Sequence, residues 1–383
     1  MLTWEFPPRV VGGIARACEG LAKDLVQQKH DVHLFTLDFP GSPDYEEMDG
    51  IKVYRASTEL GHPNFLTWVL MFNHFLSKKV ADVTKVVDFD VIHVHDWLAA
   101  FSGISFKHYL KKPMVLTVHS TEVGRAQGLH SPDSFSINGI EWWATYEADR
   151  VIVCSHSMKT ELCDHFNLPH NKVDVIPNAI DASKYHTSAD RGAVRQRYGI
   201  GWGEKLVLCV GRLVPQKGVE YFVRAIPLIA RSFPEAKYII VGDGWSRDLI
   251  EAEARASGYA DRIKFTGFAS DKEVIDLMTS ADVLVVPSIY EPFGIVALEG
   301  MATGVPVVAS RVGGLVEIID HDRTGVFVIP RSPESIAWGI GKILSDFDHA
   351  KWVTENAKEE LHKSYSWEAV AMKTAEVYKK VVK

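Results

Sequence analysis

Short, continuously apolar runs alternate with longer segments of helical period along almost the whole chain, and this alternation narrows the available folds more than any other feature. A run of about five or six residues that is apolar throughout suits a strand buried on both faces, as in a parallel sheet covered by helices. Residues 32–37, 91–94, 114–118, 151–154 and 173–176 have this character, and helical segments such as 14–28 and 97–110 lie between them. The series then restarts. Ile176-Pro177-Asn178-Ala179-Ile180-Asp181 closes the first set, and a polar stretch follows to Glu204. A second set opens at 206–210 and continues through 238–241, 263–266, 283–286, 305–309 and 326–329. Pro177 and the restart put a boundary near 178–182. The expected architecture is α/β: two Rossmann-like, doubly wound parallel-sheet domains, 1–180 and 181–365, facing a cleft lined by strand carboxyl ends.

The ends are less clear. Residues 366–383 read as a last helix with two destinations: a return to the first domain with Trp367 as apolar anchor, or packing on the second. Met1-Leu2-Thr3-Trp4 reads as the close of a buried strand. That strand is either very short or preceded by residues outside this chain.

Bulk properties bound the function. With 383 residues, 46% of them hydrophobic and 24% charged, the chain can fill two cores. A net charge of −7 gives no broad attraction to nucleic acid, and no such partner is expected. Cys18, Cys154, Cys163 and Cys209 stand far apart without a C-x-x-C pair. They read as buried free thiols in a reducing compartment, not as a zinc site. No signal peptide opens the chain and no apolar stretch reaches about 18 residues, so a cytoplasmic protein without a transmembrane segment is expected. The aromatic stretch at 65–75 reads as an amphipathic helix on a sheet. It lacks a polybasic cluster, so peripheral membrane contact is not expected. Oligomeric state stays open.

Four segments carry chemistry. In residues 287–300, PSIYEPFGIVALEG, a strand ends at Pro287 and a helix begins near Phe293 or Gly294. Amides at a helix N-terminus are unpaired and attract phosphate, and glycine admits close approach. Glu291 lies in the loop and Glu299 more than one turn into the helix, so the two carboxylates should take different partners. Sugar hydroxyls, a ribose diol among them, suit such acceptors. A loop acid and a solvated helix acid fit the spacing equally well. In residues 210–218, VGRLVPQKG, a strand runs into a glycine turn bearing Arg212 and Lys217, a pair able to neutralise a diphosphate. The Walker pattern is absent. Gly12 and Gly13 precede the first helix and permit either backbone contact with phosphate or simply a tight turn. His119 follows the strand at 114–118, where it can donate a hydrogen bond or take a proton. His93 and His95 share a sheet face. A sugar-facing Asp96 and Trp97 is preferred there to a metal site.

Together these segments resemble the retaining glycosyltransferases of the two-Rossmann-domain (GT-B) fold, above all family 4 with its glycogen/starch synthase-like members. The likeness extends over essentially the whole chain. Its most specific mark is Glu291 and Glu299 as E-x7-E within YEPFGIVALE, supported by GRLVPQKG at 211–218, VGDG at 241–244, GF at 267–268 and VGGL at 312–315. The resemblance implies an acceptor-side first domain and a nucleotide-sugar-binding second domain. It implies that Arg212 and Lys217 hold the diphosphate, and that Gly12, Gly13, Gly294 and Ile295 offer backbone contacts to phosphate or sugar. Glu299 would bind the ribose. Glu291, with the backbone at Phe293 and Gly294, would grip the hexose. His119 would meet its 6-hydroxyl, and Gly267 and Phe268 would line the base pocket. Breaking the anomeric C–O bond leaves negative charge on the diphosphate, which two cations and a helix end can neutralise. No D-x-D-type motif is evident, so no metal cofactor is expected. Retention is implied, either by same-face attack with the departing phosphate as base or by double displacement through Glu291.

His119-Ser120-Thr121-Glu122-x-Gly124-Arg125, Ile140-Glu141-Trp142-Trp143, Trp4-Glu5-Phe6-Pro7-Pro8 and His95-Asp96-Trp97 are similar to archaeal and bacterial glycogen synthase-like sequences. This implies glucose from ADP-glucose or UDP-glucose, added to an α-glucan. Trp142 and Trp143 would then stack on glucan rings or pack on the core. The K-x-G-G loop of that group is here Arg9-Val10-Val11-Gly12-Gly13, without lysine. That departure leaves hexosyl transfer to another sugar, a sugar phosphate or a lipid open. An epimerase or phosphorylase on the same fold, or a non-catalytic sugar-nucleotide-binding protein, are the rival classes. No setting for a pyridoxal-phosphate lysine is visible, and no G-x-G-x-x-G supports a dehydrogenase.

Overall fold

In the computed structural model, residues 1–58 and 61–382 are described. Glu59, Leu60 and Lys383, the last residue of the expected final segment, lie outside them. The chain folds as two units, Met1–Ala179 with Trp367–Lys383, and Ile180–Ser366.

The first unit holds β1 (His33–Leu37), β2 (Tyr45–Met48), β3 (Ile51–Ala56), β4 (Ile92–His95), β5 (Met114–Val118), β6 (Arg150–Val153) and β7 (Val173–Val175). The orders are β1-β3-β2 and β4-β5-β6-β7, parallel except for the antiparallel β2–β3 pair. One residue joins the two sets: Leu2 bridges Phe35 of β1 and Val94 of β4, both in parallel. The strand expected at 1–4 is thus a single bridge at the seam of the sheet. The hairpin of β2 and β3 departs from the expectation. Its residues are half polar, because β2 is an exposed edge that need not bury both faces. Asp49-Gly50, both at positive φ, turn the chain between them.

The helix Trp367–Val381 belongs to this unit and packs on the helix Gly13–Gln27. A Cβ at Gly20 would stand 2.1 Å from the Trp367 indole, so glycine there is what lets the two helices close. Trp367, Val370 and Ala371 share a core with Cys18 and Leu21. The helix Phe65–Val83 packs Val69, Phe72 and Leu76 inward. Its buried Asn73 donates to the carbonyls of Val69 and Leu98 and accepts from the Ser102 amide, so its burial leaves no unmet bond. Among the described residues, no helix is long and apolar enough to cross a membrane.

The second unit is an all-parallel sheet of β8 (Lys205–Val210), β9 (Ala236–Val241), β10 (Ile263–Gly267), β11 (Val283–Val286), β12 (Val307–Ser310) and β13 (Val326–Val328), in the order β10-β9-β8-β11-β12-β13. From β8 the chain winds one way to β10, then returns to β11 and winds the other way. The order therefore reverses between β8 and β11, the position where such sheets leave a crevice at their carboxyl ends.

Candidate active site

In the second unit the two strands at the reversal feed the two segments singled out by sequence. β8 runs into Gly211–Gly218 and β11 into the loop that ends at Gly294. The loops are tied together, since the amides of Ile289 and Tyr290 both donate to the Gln216 carbonyl, at 2.8 and 3.2 Å. Gly218 is required at this contact: a Cβ would lie 2.2 Å from the Pro287 carbonyl oxygen.

Glu291 is buried on this loop. Its Oε2 accepts from Lys217 Nζ at 2.7 Å and from Ser288 Oγ at 2.9 Å. Its Oε1 has no partner among the described residues. Gly313 and Gly314 of the VGGL segment press on its backbone, the Gly314 amide donating to the Glu291 carbonyl at 2.9 Å. The helix that follows is Ile295–Thr303, with Gly294 as its N-cap at φ 113° and no side-chain cap. A Cβ at Gly294 would meet Leu315 Cδ2 at 2.6 Å, so both conformation and space demand glycine. This helix therefore starts without a capping side chain or an acidic residue in its first turn. Phe293 is buried edge-on to Tyr365, which leaves only its backbone for a ligand. Ile295 is partly exposed at the first turn.

Glu299, four residues further, is buried and accepts from Tyr185 Oη at 2.9 Å. Arg212 is exposed, and its guanidinium has no partner among the described residues. Lys217 is held by Glu291. Gly211, Gly242 and Gly267 end three neighbouring strands. A Cβ at Gly242 would lie 2.0 Å from the Gly211 carbonyl oxygen, and the Gly242 amide donates to the Gly267 carbonyl. Beside them Phe268 is 81% exposed. Sequence reasoning missed Ser288 and Tyr185. Ser288 was within reach of a local argument, three residues before Glu291. Tyr185 lies 114 residues from its partner, and nothing local points to it.

The first unit treats its glycine loop differently. Gly12 caps the helix Gly13–Gln27 in extended conformation, again without a side chain of its own. Here the buried carboxylate of Glu5 fills the place: Oε2 accepts from the amides of Val11 at 2.6 Å and Gly12 at 3.0 Å. The Gly12 amide expected to meet phosphate is already bonded, because a carboxylate a few residues upstream is the nearest anion to a helix N-terminus. Gly13 is exposed beside it.

Asp96 and Trp97 also depart from the expectation. Trp97 is buried in a cluster with Val69, Leu98 and Ile137. Asp96, at φ 59° and buried, accepts the His119 amide at 2.8 Å. Its Oδ1 holds the loop through this bond. His119 Nε2 lies 3.2 Å from His95 Nδ1. His95 stacks on His93, with ring centroids 4.3 Å apart. Both nitrogens of His93 are occupied, by Tyr378 Oη and Thr117 Oγ1, each at 2.7 Å. Burial lowers the pKa of all three imidazoles, for His93 and His95 well below the ordinary value, and the Asp96 carboxylate opposes the effect only at His119. They are neutral near pH 7. Ligand atoms of Cys18, His95 and His119 lie within 4.8 Å of one another. Coordination fits poorly, however. A metal on His95 Nδ1 would leave Nε2–H buried with no acceptor, and burial raises the Cys18 thiol pKa strongly.

The Ser120–Arg125 segment turns inward on itself. Thr121 caps the short helix Glu122–Arg125, and Arg125 bonds Ser120, Glu122 and the buried Glu141. Trp142 is half-exposed and stacks with Tyr146, at 5.7 Å between centroids.

Each of the two units matches a known family over most of its length. A family described as Glycosyltransferase Family 4 matches residues 11–184, and one described as Glycosyl transferases group 1 matches residues 190–360. An uncharacterized glycosyltransferase of Methanocaldococcus jannaschii is 44% identical over 99% of this chain and 97% of its own. The glycogen synthase of Mycobacterium tuberculosis is 33% identical over 99% of this chain and 93% of its own. Among solved structures, a sucrose-phosphate synthase from Thermosynechococcus elongatus has a TM-score of 0.86 at 26% identity, covering 99% of this chain and 97% of its own. On a two-domain α/β scaffold, the chain belongs to the family 4, group 1 glycosyltransferases of GT-B fold.

Proposed function

We propose that this glycosyltransferase is a retaining, metal-independent enzyme that moves glucose from ADP-glucose or UDP-glucose to a hydroxyl of an α-glucan. The carboxylate of Glu291 carries the reading. One oxygen is committed to Lys217 and Ser288, and the other has no partner among the described residues. A buried, fixed acceptor suits a sugar hydroxyl, while Lys217 and the uncapped helix at Gly294 suit the leaving diphosphate. Arg212 supplies the second cation. Glu299 takes the ribose diol beside its bond from Tyr185. The backbone at Phe293, Gly294 and Ile295 contacts phosphate and hexose, and Gly267 and Phe268 border the base. In the first unit, His119 meets the 6-hydroxyl and Gly13 offers the backbone contact that Gly12 has given to Glu5.

An ammonium 2.7 Å from the Glu291 carboxylate draws charge from it and weakens it as a nucleophile. This supports same-face attack, with the departing phosphate as base, over double displacement. The glucan acceptor is supported by the likeness to a glycogen synthase. A second reading, transfer to a sugar phosphate, is favoured by the missing lysine before Gly12 and by the likeness to a sucrose-phosphate synthase. Incubation of ADP-glucose or UDP-glucose with glycogen, and separately with a hexose 6-phosphate, distinguishes them. The expected result is α-linked glucose on glycogen, with the anomer read by proton NMR and a rate unchanged by EDTA. Transfer to the hexose phosphate alone overturns the glucan reading. A β-linked product overturns retention, and loss of activity in EDTA that magnesium restores overturns metal independence.

A further inference from the structure

The imidazoles at the ends of β4 and β5 form a chain of contacts that fixes a proton. We infer that His95 sets the tautomer of His119: His95 Nδ1–H donates to His119 Nε2, so the ring proton of His119 resides on Nδ1. His95 is thereby a positioning residue, acting on the sugar only through His119.

Two neutral rings sharing a 3.2 Å contact hold one proton between them, one nitrogen donating and the other accepting. The choice is decided by the far nitrogen of His95. His95 Nε2 is buried and has no hydrogen-bond partner among the described residues. A proton placed there is a buried N–H without an acceptor, which native structures avoid more strictly than an unused lone pair. His93 cannot relieve it, since Tyr378 and Thr117 already occupy both of its nitrogens. The third member of the cluster, the Cys18 thiol, keeps its proton because burial raises its pKa, and it offers sulfur only as a weak acceptor. The proton therefore sits on His95 Nδ1. Asp96 holds the other side of the arrangement by accepting the His119 amide at 2.8 Å, so ring and backbone of His119 are both fixed.

The consequence is chemical. Nδ1 is the His119 nitrogen left for a ligand, and in this tautomer it is a donor. It can hydrogen-bond a sugar oxygen, and it cannot take a proton there. His119 is thus excluded as a general base, one of the two roles its position allowed. This consequence rests on the proposed transfer reaction, whereas the tautomer does not.

The full chain labelled with 15N-histidine tests the assignment by long-range proton–nitrogen correlation, with His119 identified from the His119→Gln spectrum. We expect protonated Nδ1 and bare Nε2 at His119, and a shift to the Nε2–H form in His95→Phe. A wild-type His119 protonated at Nε2 overturns the proposal, and this spectrum decides even where the variant does not fold. Unchanged protonation in folded His95→Phe also overturns it. For activity, His95→Phe should lower kcat/KM for the sugar nucleotide about tenfold, the size of one net hydrogen bond. His95→Asn, whose amide N–H takes the place of Nδ1–H, should recover most of it. Equal loss in both variants overturns the positioning role. Absence of transfer in wild type with the expected spectrum overturns the proposed function and leaves the tautomer standing.

Discussion

Four of the described helices follow a glycine N-cap with no side-chain cap, and two of them, at Gly294 and Gly12, invite comparison. At Gly294 the first amides have no side-chain cap, and Lys217 stands close by, held by Glu291. At Gly12 the buried carboxylate of Glu5 takes the amides of Val11 and of Gly12 itself, just ahead of the helix. Both turns place a glycine before a helix, but Gly294 is left-handed and follows β11, whereas Gly12 is extended and follows only the bridge at Leu2. The nearest charge differs as well: under the proposed function a cation beside one turn suits it to an anion, while a built-in carboxylate occupies the other. A glycine-rich turn before a helix is therefore a permissive geometry, and its function is assigned by the charged residues that reach it.

The comparison is broken most severely at Lys217. Lys217→Ala removes the cation from the open turn and leaves Glu291 buried without its partner. Loss of one transition-state charge contact costs about 2.7–4 kcal/mol, so kcat/KM should fall about 10²- to 10³-fold. Steady-state kinetics with the sugar nucleotide checks this, and a loss below about threefold would detach Lys217 from the reaction. Next in size is Gly294→Ala. The new Cβ would enter φ 113° and stand 2.6 Å from Leu315. A destabilisation of about 1–3 kcal/mol is expected in urea unfolding, from left-handed strain and local repacking. Gly12→Ala is the matching control. Gly12 has extended φ, so that change should cost well under 1 kcal/mol of strain.

Much of this was legible because parallel strands buried on both faces must be continuously apolar, and runs such as 114–118 and 283–286 became strands with the same bounds. The β2–β3 hairpin escaped because an edge strand faces water and carries Glu46 and Glu47. Its Asp49-Gly50 turn was the available signal. Within the site, E-x7-E and the Arg212/Lys217 spacing were readable since each is local to one strand end. The bond between Lys217 and Glu291 was not, because it joins residues 74 apart whose adjacency comes from the reversal of strand order at β8 and β11. The burial of Asp96 and Trp97 was hidden for a related reason. Asp96 follows a strand end, yet its Oδ1 accepts a backbone amide from the next strand end, a contact between residues 23 apart.

The first unit also differs in holding neutral imidazoles in its interior, which sharpens the contrast through pH. His95 has a folded-state pKa well below its ordinary 6.5 because burial penalises the charged ring. Above pH 6.5 neither folded nor unfolded His95 binds a proton, and its contribution to stability is complete. Below pH 6.5 the unfolded chain takes up a proton that the folded chain refuses. Stability then falls by up to about 1.4 kcal/mol per pH unit for this group until the folded pKa is reached. His95→Phe should flatten the wild-type dependence between pH 6.5 and 5 by about that slope, measured by calorimetry. Parallel curves would mean that the folded ring protonates as readily as the unfolded one.

The smallest effect is expected where charge alone is removed. Glu5→Gln keeps an oxygen able to accept from the Val11 and Gly12 amides but withdraws the anion from the helix end. Charge-assisted bonds are roughly twice as strong as neutral ones, and a charge at a helix N-terminus contributes about 0.3–1 kcal/mol. The variant should lose about that much stability in urea unfolding. If the Glu5 carboxylate is what closes this turn to anions, Glu5→Gln should also gain weak, salt-sensitive affinity for inorganic pyrophosphate that wild type lacks in the presence of Lys217→Ala. Calorimetric titration of Lys217→Ala with and without Glu5→Gln separates the two turns. Equal pyrophosphate affinity in both would show that geometry, and not the resident carboxylate, distinguishes the glycine turn of the first unit from that of the second.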